Sequence, residues 1–334
     1  MKELKDIKKI AVFRALQLGD MLCSIPAIKA LRHAYPSATI TLLGLPWASS
    51  FVERFSVYFD RFIHFPGYTG LPEQSFNEEE LESFLRKIRK ENYDLLLQMQ
   101  GNGTIVNRLV FQMGAKNVAG FYNEESHVNS PFFIKYPQKL PEVERHLALM
   151  NHLGIGSQGK HLEFPLTAKD LKDFDSLLLP VFPGNYICFH PGSRGSWRQW
   201  PPKYFAKIAD HCIEKGFSAV ITGTKAESDI TSDVLKYMHH NAIDLTGKTT
   251  LGAIGVLIKN SFALISNCTG VAHIADAFDK PSVVISMDGE PDRWGPLDRK
   301  LHCVIDWTKD PHFESVLLET ENLINSYLVT KKRT

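Results

Sequence analysis

Four short stretches of this 334-residue chain place reactive side chains just behind an apolar run and just ahead of a helical pattern. In R-A-L-Q-L-G-D-M-L-C-S-I-P-A the residue is Asp20. An aspartate there either caps the following helix or, ionised at neutral pH, takes a proton from a substrate hydroxyl. Gly19 permits the tight turn that would aim its carboxylate. In H-P-G-S-R-G-S-W-R-Q-W-P-P-K-Y-F, 190–205, small residues including Ser193 let backbone amides approach a ligand. The guanidinium forks of Arg194 and Arg198 suit phosphate oxygens. In V-I-T-G-T-K-A-E-S, Gly223 and Glu227 stand at a helix start, where the carboxylate either accepts ribose hydroxyls or complements the helix dipole. In L-I-S-N-C-T-G-V-A-H-I-A-D-A, Thr269 can cap a helix, Gly270 leaves its amides open, and His273 shares their face.

Together the last three stretches outline a diphosphate, a ribose and a group beyond them, which is a sugar nucleotide. No D-x-D pair follows a strand, so no metal is expected. The phosphate charge falls to Arg194, Arg198 and a helix N-terminus. A-I-D-L-T-G-K-T, 242–249, imitates a phosphate-binding P-loop, but Ala242 replaces the first glycine and a strand runs through the motif. Asn267-Cys268-Thr269 is a chance glycosylation sequon. In the first half, Q-M-Q-G-N-G-T follows a strand and offers Gln98, Gln100 and Asn102; Trp47, Arg61, His64 and Tyr68 are further polar and aromatic side chains there.

These residues need strand ends to hold them. Runs such as I-A-V-F, T-I-T-L-L-G and L-L-L-Q-M in the first half, and Y-I-C-F-H, S-A-V-I-T-G, F-A-L-I-S and S-V-V-I-S in the second, read as buried strands. Amphipathic segments separate them, and N-E-E-E-L-E-S-F-L-R-K-I-R-K reads as a capped helix. Alternation of this kind predicts an α/β chain of two doubly wound parallel-sheet domains. The boundaries fall at 1–165 for a first domain, 166–312 for a nucleotide-sugar domain and 313–334 for a terminal helix. Lys plus Arg is 38 against 37 acids, a balance that excludes a dedicated nucleic-acid binder. The five scattered cysteines form no C-x-x-C pair and fit a reducing compartment. With no signal-peptide pattern and no apolar run near the roughly 18 residues of a membrane span, a cytoplasmic location is expected. The terminal K-K-R-T either meets an anionic membrane or is simply solvated.

The ordered set L-G-D-M-L-C-S-I-P-A, H-P-G-S with W-R-Q-W-P-P-K-Y-F, I-T-G-T-K-A-E, L-T-G-K-T-T-L and S-N-C-T-G-V-A-H-I-A-D-A closely resembles glycosyltransferase family nine. These are the ADP-heptose:lipopolysaccharide heptosyltransferases and their relatives. The resemblance covers most of the chain. It implies a GT-B fold, two Rossmann-like domains facing a central cleft, the first on the acceptor side with Gln98, Gln100 and Asn102 as candidate acceptor contacts, and the terminal helix crossing back to it. It implies an inverting, metal-independent transfer from a nucleoside-diphosphate sugar, most directly ADP-heptose, to a hydroxyl of a lipopolysaccharide core or other envelope glycan, by an enzyme able to lie against the inner membrane. Asp20 matches the family's general base, Glu227 the ribose ligand, and His273 the histidine by the diphosphate; Ser193 lies where a small hydroxyl residue contacts phosphate. Two positions depart from the pattern. Arg198 replaces the usual lysine two residues before Trp200, exchanging a point charge for a fork. Cys268 replaces an acid that grips sugar hydroxyls, and a thiol is a weak hydrogen-bonding partner. A sugar-nucleotide-binding protein with little catalysis, and a non-hydrolysing sugar-nucleotide epimerase, are the competing readings.

Overall fold

Short apolar segments between polar turns become strands, and amphipathic segments pack over them. The computed structural model describes residues 4–126 and 128–331, the side chains of 326–331 excepted. Residues divide into two units, Met1–His161 and Leu162–Thr334. The expected division after residue 165 lies a few residues later.

The first unit runs β1 (Lys9–Phe13), α1 (Leu18–Ala34), β2 (Thr39–Gly44), α2 (Ala48–Arg54), β3 (Arg61–His64), α3 (Glu78–Glu91), β4 (Leu95–Gln98), α4 (Val106–Gln112), β5 (Asn117–Tyr122), β6 (Phe133–Lys135) and α5 (Glu142–His152). Its strands form one parallel sheet in the order β3-β2-β1-β4-β5-β6. Ile10 sits beside Ile40 on one side and Leu95 on the other, so β1 is central. Helices cover both faces, which is why β2 and β4 are apolar almost throughout. Asn77 caps α3 by accepting the Glu80 amide at 3.1 Å, as its sequence predicts. Phe13, Leu43, Phe65, Phe84 and Leu96 lie in the core of this unit.

The second unit runs α6 (Ala168–Asp175), β7 (Tyr186–His190), α7 (Pro202–Glu214), β8 (Ser218–Ile221), α8 (Ser228–Tyr237), β9 (Ile243–Asp244), α9 (Leu251–Asn260), β10 (Ala263–Asn267), α10 (Gly270–Ala277), β11 (Ser282–Ser286), α11 (Pro291–Trp294), β12 (His302–Asp306) and α12 (Phe313–Lys331). Its parallel sheet has the order β12-β11-β10-β7-β8-β9. Trp200, fully buried, packs on Phe205, Trp307 and Phe313. Within the described residues the terminal helix packs on the second unit. Its Val316 and Ile324 belong to the core of the second unit, with Phe313, Leu317 and Leu323 beside them, and the helix meets α7, β11 and β12. Lys332, Arg333 and Thr334 of the K-K-R-T sequence, and the Lys331 side chain, lie outside what is described.

Both sheets share one topology. Counted in chain order within each unit, the strands run 3-2-1-4-5-6, the doubly wound Rossmann order. The order reverses between β1 and β4 in the first unit, and between β7 and β10 in the second. At such switch points the connections leave in opposite directions and open a crevice beyond the strands' carboxyl ends.

Candidate active site

In the second unit four neighbouring strands, β8, β7, β10 and β11, each deliver a loop to this edge. The loop after β7 is tied down by Asn267, the last residue of β10. Its Nδ2 donates to the Pro191 carbonyl at 2.7 Å, and its Oδ1 accepts the Trp200 amide at 2.9 Å. Gln199 adds a bond from Nε2 to the Ser193 carbonyl at 3.1 Å. The clamp holds Ser193 in place, and its hydroxyl is buried without a hydrogen-bond partner among the described residues.

Across the switch point, Thr269 occupies the N-cap of α10 in extended conformation. Its side chain makes no cap bond, and its hydroxyl too is buried without a partner. Gly270 is the first helical residue, so the amides of the first turn are open to an anion with no side chain of residue 270 in the way. His273 is buried one turn further on. A buried hydroxyl with no partner costs about 1–3 kcal/mol. Two of them beside one helix N-terminus form a cradle suited to phosphate oxygens.

Beside the cradle, Glu227 is the last residue of a single 3-10 turn, Lys225–Glu227. Its Oε2 accepts the Thr224 amide at 2.7 Å and hydroxyl at 2.9 Å, closing a capping box. A side chain on Gly192 would collide with the Glu227 carboxylate, so that glycine is what admits it. His190 Nε2 lies 4.0 Å from Glu227. Thr222 gives its one hydroxyl proton to the Phe189 carbonyl, so His190 Nδ1 is the donor in its 3.0 Å contact with Thr222. Nε2 is thereby an acceptor. Burial, which Glu227 opposes, holds the His190 imidazole below its usual titration range. Two acceptors side by side suit a diol.

In the first unit, Asp20 stands third in α1, in its first turn, while Gln17 is the N-cap and makes no side-chain bond. The cap reading of Asp20 therefore fails on position. Gly19 lies inside the helix and is not the hinge of a tight turn. The main chain of Asp20 is held instead: its carbonyl accepts Arg14 Nε at 3.0 Å and Nη2 at 2.7 Å. At the end of β4, Gln100 Oε1 accepts the Ala15 amide at 2.6 Å, while its Nε2 is buried without a partner.

The family model of Glycosyltransferase family 9 (heptosyltransferase) matches residues 81–320. The chain belongs to glycosyltransferase family 9. It is 32% identical over 314 residues to lipooligosaccharide heptosyltransferase 2 of Haemophilus ducreyi, covering 87% of each chain. It is 24% identical over 310 residues to lipopolysaccharide heptosyltransferase 2 of Salmonella typhimurium, covering 89% of this chain and 87% of that one. Among solved structures, a family 9 glycosyl transferase from Veillonella parvula superposes with a TM-score of 0.78 at 19% identity, over 97% of this chain and 99% of that one. The ADP-heptose lps heptosyltransferase II of E. coli gives 0.75 at 20% identity, over 96% and 99%. The two doubly wound units are those of the GT-B fold.

Several site residues of this glycosyltransferase stand differently from their sequence reading. Arg198 is ion-paired through Nη2 to Asp288 Oδ2, a residue that the reading missed. Burial would raise the Asp288 carboxyl, but Arg198, the Ser286 hydroxyl and the Glu290 amide outweigh it and hold it below the usual carboxylate range. Arg198 thus has a counter-ion within this unit. Cys268 packs with Ala272 and Val284, and burial pushes its thiol up to about 12, so it presents an apolar surface and not a grip on a polyol. Arg194 is exposed. Gly223 gives room to Thr231, whose methyl lies 3.0 Å from where a Cβ would be.

Gln98 is fully buried, its Nε2 bonded to the Gln100 carbonyl at 2.9 Å and its Oε1 to the Phe121 amide at 3.3 Å. It stitches the sheet and is closed to an acceptor. Asn102 Oδ1 accepts the Thr104 amide and hydroxyl at 3.1 and 2.9 Å, an Asx turn in an exposed loop. Arg61 is spent on Glu91 at 2.7 and 3.0 Å. Among the described residues, no three His, Cys, Asp or Glu side chains group as a metal site, and no helix is long and apolar enough to cross a membrane.

Proposed function

We propose that the chain transfers a heptose from ADP-heptose to a hydroxyl of a lipopolysaccharide core, with inversion and without a metal. The observation that carries this reading is the cradle at the β7–β10 switch point: two buried hydroxyls without partners, Ser193 and Thr269, beside the open N-terminus of α10. The relatives' names, lipopolysaccharide and lipooligosaccharide heptosyltransferase, supply the sugar and the acceptor class. The diphosphate binds Ser193, Thr269, the Gly270 amide and His273, with Arg194 and Arg198 offsetting its charge. Fixed donors of this kind hold the negative charge that grows on the leaving group. The ribose hydroxyls bind Glu227 and His190 Nε2, beside Gly223. Asp20 is the general base: it removes the acceptor's proton as that oxygen attacks the anomeric carbon and the nucleoside diphosphate departs. Gln100, through its unpartnered amide nitrogen, and Asn102 face the acceptor. With Cys268 packed against apolar side chains, other groups hold the heptose hydroxyls. The enzyme works at the cytoplasmic face of the inner membrane, where a glycolipid acceptor is presented.

A thermal-shift panel of ADP, GDP, UDP and CDP at millimolar concentration tests the donor site. ADP is expected to raise the melting temperature most, since ligand at 100 times its Kd adds about 2.7 kcal/mol to the native state. The donor assignment collapses if none of the four shifts it.

A further inference from the structure

We propose that Arg14 is a positioning residue for Asp20, gripping the main chain of that residue and so setting where its carboxylate sits. The proposal rests on Asp20 being the base. Arg14 is the first residue after β1, and its side chain is 0% exposed. Its own amide bonds to the Leu43 carbonyl at 3.1 Å, which fixes its stem against β2. From that point the guanidinium reaches two main-chain carbonyls. One is the Met99 carbonyl, the first residue beyond β4 across the switch point. The other is the Asp20 carbonyl, which receives both Nε at 3.0 Å and Nη2 at 2.7 Å.

A fully buried guanidinium needs compensation, and here it comes from helix α5. Glu142 Oε1 lies 3.4 Å from Arg14 Nη2, and its Oε2 accepts Arg145 Nη1 at 3.0 Å. Arg145 also donates to the Pro137 and Gln138 carbonyls at 2.9 and 2.6 Å. His146 Nε2 lies 3.3 Å from Glu142, and burial, reinforced by Arg14, pushes its imidazole down to about 4, so it adds no third cation at neutral pH. One carboxylate thus balances two arginines, and the surplus of donors goes to main-chain carbonyls.

The economy of this arrangement points to geometry. A chain that needed only to cover a strand end would place an apolar residue at position 14. A two-pronged grip fixes the peptide plane that follows the Asp20 Cα, and the carboxylate moves with that Cα. Displacement of a reacting group by about 1 Å costs on the order of 100-fold in rate. Lysine cannot replace this function, because it offers a point charge where arginine offers a rigid fork.

The test is a double-mutant cycle between Arg14→Lys and Asp20→Asn. It follows transfer from ADP-heptose to a heptose-deficient lipopolysaccharide core by ADP release, with ADP affinity and melting temperature measured in parallel. Arg14→Lys is expected to lower kcat by about 10- to 100-fold while ADP affinity is unchanged, and to lower it no further once Asp20 is already Asn. An equal fold-loss from Arg14→Lys in both backgrounds overturns the proposal while leaving Asp20 as base. Full activity of Asp20→Asn alone overturns the base and, with it, this proposal. Should Arg14→Lys not fold, Glu142→Gln, which keeps an oxygen toward Arg14, is expected to give a smaller kcat loss with the same non-additivity. If neither variant folds, the grip serves the unit and not the turn, and the proposal falls.

Discussion

At the carboxyl ends of β1 and β4 the chain spends its polar groups on itself, whereas at β7 and β10 it leaves hydroxyls buried and unpartnered. Strand order and parallel pairing are the same in both units. In the first, Arg14, Gln98 and the Gln100 carbonyl oxygen are all committed to neighbouring main chain, with the Gln100 amide nitrogen the exception. In the second, the committed residue is Asn267, and what it holds still is a loop whose Ser193 hydroxyl has no partner among the described residues. One switch point has these polar groups bonded to neighbouring main chain; the other has two buried hydroxyls with no hydrogen-bond partner among the described residues.

Glu142→Ala attacks the self-bonded side and carries the largest expected effect on stability. It strands the Arg14 and Arg145 guanidiniums in a buried site. Breaking a buried pair costs about 3–5 kcal/mol, to be read from the urea midpoint. A loss below about 1 kcal/mol would mean that water reaches the cluster and that the first switch point is no more closed than the second.

The pH dependence of the same cluster comes next. His146 titrates at about 4 in the folded unit against 6.5 ordinarily. Between those values the unfolded chain takes up a proton that the folded unit refuses. Stability therefore falls as pH drops from about 6.5 towards 4, by about 3 kcal/mol in all, and the fall is complete below the folded value. His146→Gln should flatten that slope in urea titrations run across this range.

Thr269→Val probes the open side, where the effect is smallest and its sign is the point. Valine keeps the shape and removes a hydroxyl that has no partner among the described residues. Stability should hold or rise slightly, while ADP affinity measured by calorimetry falls about 10-fold, as for one lost hydrogen bond to a charged group. Lost stability with unchanged affinity would place Thr269 among the structural residues and erase the contrast.

Much of the scaffold could be read from sequence because doubly wound sheets bury both faces, so β1, β2, β7, β10 and β11 stand out as apolar runs. The segment that forms β5, N-V-A-G-F-Y, did not stand out, since glycine weakens a strand signal. Gly120 is there because a Cβ would lie 2.7 Å from that of Gln98 on β4. Helix α5 was hidden for the opposite reason. E-V-E-R-H looks like a solvated charged face, yet Glu142, Arg145 and His146 are all buried around Arg14. The strand-end motifs carrying Ser193, Glu227, Thr269 and His273 were visible as local patterns. Asp288, Asn267 and Arg14 were not, because Asp288 and Asn267 bond partners 90 and 76 positions away, and Arg14 joins nearby Asp20 to partners 85 and 128 positions away. Only the strand order brings such residues together.

The measurement that bears most directly on the account is transfer and ADP binding determined together on Asp20→Asn. Asparagine keeps the size of the side chain and its place in the first turn of α1, and removes the basicity. If the first unit carries the base and the second the donor site, ADP affinity is unchanged and transfer from ADP-heptose falls by about 100- to 10,000-fold, the usual contribution of a general base. Transfer retained within a few fold of the unaltered enzyme would contradict it, and so would a loss of ADP affinity that matches the loss of rate.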